Sequence, residues 1–129
     1  MTHTPSTGDS MNFDFTNDLP AMKNMLKTIV EIETPTANKA AVDTLSRSLA
    51  DTMRKMGGNV NVIDNPTRGD ILLASFGSGP KTILLMHHMD TVFPMGTLES
   101  MPFYEKGDKI FGPGVLDMKG GIVISITAI

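Results

Sequence analysis

Apolar residues recur at three- and four-residue steps through Leu19, Met22, Met25, Leu26, Ile29 and Val30. That spacing predicts an amphipathic helix opening at Asp18, with Pro20 in its first turn. The sequence ETPT, ending at Thr36, breaks it. A second helix is predicted from about Asn38, burying Val42, Leu45, Leu49, Met53 and Met56 and stopping at Gly57-Gly58. The period then changes to two. Val60 and Val62 alternate with Asn59 and Asn61, the mark of a half-exposed strand, and residues 70–76 predict a second, more apolar one. GSGP makes a turn, and residues 82–87 predict a third strand, apolar enough to be the most buried and central one. Residues 103–105 and 109–111 flank Gly107-Asp108 as a short hairpin. Over the closing residues 121–129 the signals conflict. Ile122, Val123, Ile124, Ile126 and Ile129 are β-branched and favour a strand, whereas the glycine turn before them favours a helix. Helices first and strands after them make the fold class α/β.

The predicted central strand ends abnormally. Residues 83–90 read ILLMHHMD, an apolar run closed by two histidines and an aspartate. Placing ligands where a buried strand leaves its sheet is a common way for open α/β folds to build sites. Side chains alternate along a strand, so His88 and Asp90 share one side while His87 and Met89 take the other. A carboxylate two residues from a histidine can accept the ring N–H that faces away from a metal, fixing the tautomer. Asp117 lies 29 residues beyond His88 in the glycine-rich segment GPGVLDMKGG, where the intervening hairpin could fold it back. The ordinary readings are that a strand-end histidine simply reaches water and that an aspartate between glycines forms a turn. His87 reads as structural, and Lys119 as a solvated charge.

Composition narrows the chemistry. The chain of 129 residues suits one domain with a real core, and eleven methionines fill space that scarce aromatics leave. A net charge of −3 with no basic run argues against nucleic acid and anionic membranes as partners. Cysteine is absent, so any metal must be held by nitrogen and oxygen ligands. Lys81-Thr82 after GSGP is not a phosphate loop, because Pro80 stands where a glycine is needed. No basic start with an apolar core precedes residue 18, and no apolar run approaches a membrane span, so a cytoplasmic location is expected. Residues 1–17, which include His3, read as a loose tail, and 18–129 as the folded portion.

HMDTV (88–92) together with GPGVLDMKGG (112–121) resembles the aminoacylase and glutamate carboxypeptidase family of dinuclear zinc exopeptidases. The similarity runs from about Leu19 to the C-terminus and is greatest to the carboxypeptidase G type, which releases C-terminal glutamate. The resemblance implies a partial, truncated zinc-exopeptidase-like catalytic domain, two helices followed by a mixed sheet. It implies that His88 ligates one zinc, that Asp117 bridges two, and that Asp90 is the catalytic-site residue orienting His88. It also implies metal-assisted amide hydrolysis of a peptide or N-acyl amino acid, with a glutamate as general base. Full-length relatives are often homodimeric.

The chain departs from that pattern in its ligand count. A dinuclear site with one shared ligand needs about five protein ligands, and His88 and Asp117 match two. The family's Glu-Glu pair, its later acidic ligand, its distal histidine and its dimerisation domain would lie beyond Ile129. The uncharged ending at residues 122–129 carries the same expectation, the front part of a longer protein. Two functional expectations follow: a metallo-exopeptidase present as its N-terminal portion, or a catalytically silent fragment that at most holds one metal weakly.

Overall fold

The computed structural model describes residues 14–129; most of the predicted tail, His3 included, lies outside those residues. Two long helices come first, α1 (Leu19–Val30) and α2 (Lys39–Lys55). Asp18 occupies the N-cap position of α1 without a side-chain cap, while Asn38 caps α2 by accepting the Ala41 N–H at 3.1 Å. Strands β1 (Asn59–Ile63) and β2 (Ile71–Ser75) pair antiparallel, Asn61 opposite Leu73. A single-turn helix α3 (Thr97–Ser100) precedes the hairpin β3 (Tyr104–Lys106) and β4 (Lys109–Phe111). Tyr104 and Phe111 stack across that hairpin, ring centroids 4.7 Å apart. A tight turn over Val115–Lys119 then leads into α4 (Gly120–Ala128).

The α/β order of helices then strands holds, and the strands pair as two small antiparallel ladders. A parallel contact joins Pro35 to Thr91, with the Thr91 N–H donating to the Thr34 carbonyl at 2.8 Å. The core lies between the helices. Leu26, Ile29 and Val30 of α1, Leu45 and Leu49 of α2, and Ile122, Val123 and Ile126 of α4 form one buried cluster. Each such side chain contributes about 1.5–3 kcal/mol relative to exposure. Met56, expected in this core, is 41% exposed because α2 ends there and Gly57 turns the chain away at φ +88.

Two expectations are settled differently by packing. The conflict over residues 121–129 resolves as helix. Ile122, Val123 and Ile126 fall on one side at helical spacing and meet α1, and that burial outweighs the β-preference of branched side chains. The central strand at residues 82–87 is a correction: no ladder includes them. Ile83, Leu84 and Met86 are exposed at 87%, 73% and 81%. Apolar continuity states what a segment would bury if neighbours covered it. Among the described residues β1 and β2 satisfy one another, and residues 82–86 are left exposed, only His87 at the end of the run meeting α4.

Candidate functional site

Three backbone segments meet at the candidate site: the 88–91 stretch, the Pro35–Thr36 connection after α1, and the turn before α4. The parallel contact between Pro35 and Thr91 anchors the first two, and the Thr36 N–H donates to the Thr91 carbonyl at 3.2 Å. Gly114 brings the third close. It sits at φ +76, and a Cβ there would lie 2.6 Å from the buried Thr91 methyl. Only glycine allows both that backbone conformation and that approach. The Lys119 N–H closes the turn onto the Gly114 carbonyl at 2.9 Å.

The turn carries Asp117 back to His88. His88 Nε2 lies 2.8 Å from Asp117 Oδ1, and Nδ1 lies 3.0 Å from the Asp90 carbonyl and 3.3 Å from Asp90 Oδ1. Both ring nitrogens therefore face acceptors. A neutral imidazole has one N–H and could satisfy only one of them, so the arrangement favours the imidazolium. Burial works against that charge, but the hydrogen bond to Asp117 and the Asp90 carbonyl outweigh it and raise the His88 pKa above 6.5. His87 turns the opposite way, its Nε2 2.9 Å from Ser125 Oγ on α4. The alternation expected of residues 87–90 thus survives without a ladder.

The metal-site geometry is only partly met. Two ligands bound at about 2.0 Å with a tetrahedral angle lie about 3.3 Å apart. The His88–Asp117 pair would have to open by about 0.5 Å to admit an ion, a small movement because the Asp117 side chain is 81% exposed. The donor types, imidazole nitrogen and carboxylate oxygen, suit a borderline cation. Among the described residues, however, no group of three His, Cys, Asp or Glu side chains could hold a metal ion. The residues present fit one edge of a metal site and do not complete it. An open cleft of about 300 Å³ lies over this edge, with Thr36, Phe93 and Leu116 among its walls.

Three residues around the site escaped the sequence reading. Thr36 Oγ1 donates to Asp90 Oδ2 at 2.5 Å. Glu33 accepts the Gly96 and Leu98 N–H groups at 2.8 and 2.9 Å, and those bonds hold its carboxyl below the usual range. Lys119, expected to be solvated, is 1% exposed and donates to the Ile32 carbonyl at 2.7 Å. Burial lowers its pKa to about 8. No local signal marks any of the three, because each partner lies at least 54 residues away.

The model of the family "Peptidase family M20/M25/M40" matches residues 84–129, which include His88, Asp90 and Asp117. Carboxypeptidase G2 from Pseudomonas sp. (strain RS-16) is 36% identical over 109 residues, covering 82% of this chain and 26% of its own. A peptidase M20 domain-containing protein of Schizosaccharomyces pombe is 34% identical over 114 residues, covering 85% and 27%. Acetylornithine deacetylase from Klebsiella pneumoniae (strain 342) is 34% identical over 122 residues, covering 88% and 32%. Over residues 84–129 the chain matches the M20/M25/M40 peptidase family, and it is similar to these relatives over most of its length. It spans between about a quarter and a third of the length of these relatives. No helix among the described residues is long and apolar enough to cross a membrane.

Proposed function

We propose that this chain supplies one edge of the metal site of an M20-type hydrolase. The hydrolase would cleave the amide bond to a C-terminal amino acid in a peptide or N-acyl amino acid. The single observation carrying this reading is His88 Nε2 at 2.8 Å from Asp117 Oδ1, with Nδ1 turned to Asp90. In it, His88 and Asp117 would hold zinc, Asp117 as the shared ligand of the complete site, and Asp90 would orient His88. Zinc so held would polarise a scissile carbonyl and lower the pKa of a water. What the chain's own residues do is narrower. Asp90 keeps Nδ1 engaged, so that Nε2 is the nitrogen that would be offered to a cation once it has given up the proton it shares with Asp117.

The finer assignments rest on the relatives. The match to a carboxypeptidase G2 supports a C-terminal glutamate as the leaving group, and the deacetylase match supports N-acyl amino acids as the broader class. The remaining ligands, the general base and a homodimer interface belong, in this reading, to the part of the family's length that this chain does not span. A cytoplasmic location goes with it.

A second reading has its own support. With no group of three possible ligands among the described residues, the chain alone would be a silent fragment holding one zinc weakly. The two readings agree on the ion and differ on turnover. Zinc titration against a chromophoric chelator, on the wild type and on His88→Ala and Asp117→Ala, tests the first point. One weakly bound zinc that both substitutions abolish is expected. Zinc binding that ignores both substitutions refutes the site. Turnover of a C-terminal glutamyl substrate is expected at background, since a missing general base alone forfeits about 10²–10⁴-fold. Turnover that requires His88 would overturn the silent reading.

A further inference from the structure

We infer that Thr36 is a positioning residue for this site, holding the Asp90 carboxylate so that it faces His88. The inference rests on the reading of His88 as a metal ligand and adds a residue that acts on it from two contacts away.

Three observations carry it. First, Thr36 Oγ1 is 2.5 Å from Asp90 Oδ2, at the short end for a hydroxyl donating to a charged carboxylate. The carboxylate can only accept, so the proton belongs to Thr36, and of the two acceptors its hydroxyl reaches, Asp90 Oδ2 is much nearer than the Thr91 carbonyl at 3.2 Å. Second, the other carboxylate oxygen, Oδ1, is the one turned to His88 Nδ1 at 3.3 Å. Thr36 and His88 therefore stand at opposite oxygens of one carboxylate, Thr36 by a hydrogen bond and His88 at ion-pair distance, since the Nδ1 hydrogen bond itself goes to the Asp90 carbonyl. Third, Thr36 is itself held: its N–H donates to the Thr91 carbonyl at 3.2 Å, beside the Pro35–Thr91 bridge. The hydroxyl is thus mounted on the same backbone frame that carries Asp90.

Without that hydroxyl, the Asp90 side chain, 31% exposed, could swing towards water. His88 Nδ1 would keep the Asp90 carbonyl and lose the carboxylate. Thr34, two residues earlier, shows the contrast. It is fully buried, and its hydroxyl donates to the Met89 carbonyl at 2.8 Å, so it fastens backbone and touches no part of the site. Thr36 itself is exposed, so replacing its hydroxyl with a methyl disturbs little packing.

The test uses the whole chain, Thr36→Val, Thr36→Ser, Asp90→Ala and the Thr36→Val/Asp90→Ala pair. The first readout is the ¹⁵N chemical shifts of the His88 ring in the metal-free chain at one fixed pH, with the urea midpoint measured beside it. Thr36→Val should shift the Nδ1 resonance, Thr36→Ser should restore it, and Thr36→Val should add nothing once Asp90→Ala is present. The second readout is affinity for zinc alone, expected to fall about tenfold in Thr36→Val, the low end of losses on removing such outer partners. Unchanged ring shifts in Thr36→Val, or an effect that persists in the Asp90→Ala background, overturn the inference. Should the wild type bind no zinc, the metal reading fails, and the ring shifts still decide the role of Thr36. If Thr36→Val loses its urea transition, Thr36→Ala takes its place with the same expected outcome.

Discussion

Two glycines with left-handed backbones give a sharp test of how Asp117 is delivered to His88. Gly107, in the β3–β4 turn, has φ +62 and open space where a Cβ would go. Gly114 has φ +76, and a Cβ there would lie 2.6 Å from Thr91 Cγ2. Substituting alanine at either position forces an L-residue into the left-handed region, which costs about 1–2 kcal/mol. At Gly107 that is the whole expected effect. At Gly114 the Thr91 methyl must also move. Thr91 cannot shift freely, since its N–H and carbonyl are bonded to Thr34 and Thr36 and it is 7% exposed. Overpacking of this kind adds about 1–3 kcal/mol, so Gly114→Ala should cost about 2–5 kcal/mol in all. Urea unfolding of both variants beside the wild type, with unchanged slopes, measures the difference. Equal losses within about 0.5 kcal/mol, the usual tolerance of such comparisons, would refute the close approach of the 112–119 turn to Thr91.

His87→Ala removes the bond to Ser125 and should cost about 1 kcal/mol by urea midpoint, while zinc affinity stays at the wild-type value; a drop in affinity would move His87 into the site. Asp70 is held below its ordinary 3.8, first by the Lys39 side chain and then by the Asn65 N–H. A lowered folded pKa means stability that is fully present above 3.8 and lost as pH falls through the folded value. Urea midpoints should therefore fall more steeply below about pH 4 in the wild type than in Asp70→Asn, and parallel curves would contradict the ion pair. Glu33→Ala frees the Gly96 and Leu98 amides, so hydrogen exchange at those two positions should speed up while the α2 amides keep their protection.

What could be read along the chain was whatever repeats locally. The three- and four-residue spacing announced α1 and α2, the alternation at Val60 and Val62 announced β1, and Gly107-Asp108 announced the hairpin, because each signal is complete within one element. His88 and Asp117 were legible for a different reason: a histidine and an aspartate ending an apolar run, and a glycine-rich segment downstream, are motifs that sit in the sequence whole. Their meeting at 2.8 Å depends on a turn whose glycine must pass Thr91, which is a tertiary fact. The same holds for Thr36, Glu33 and Lys119, whose partners are supplied from distant segments. Residues 82–87 and 121–129 mark the boundary from both sides. One apolar run had the composition of a buried strand and lacked a neighbour to pair with. The other had strand-forming side chains and became a helix because α1 offered it a face to cover. Composition sets what a segment can bury, and the surrounding packing decides whether and in what shape it does so.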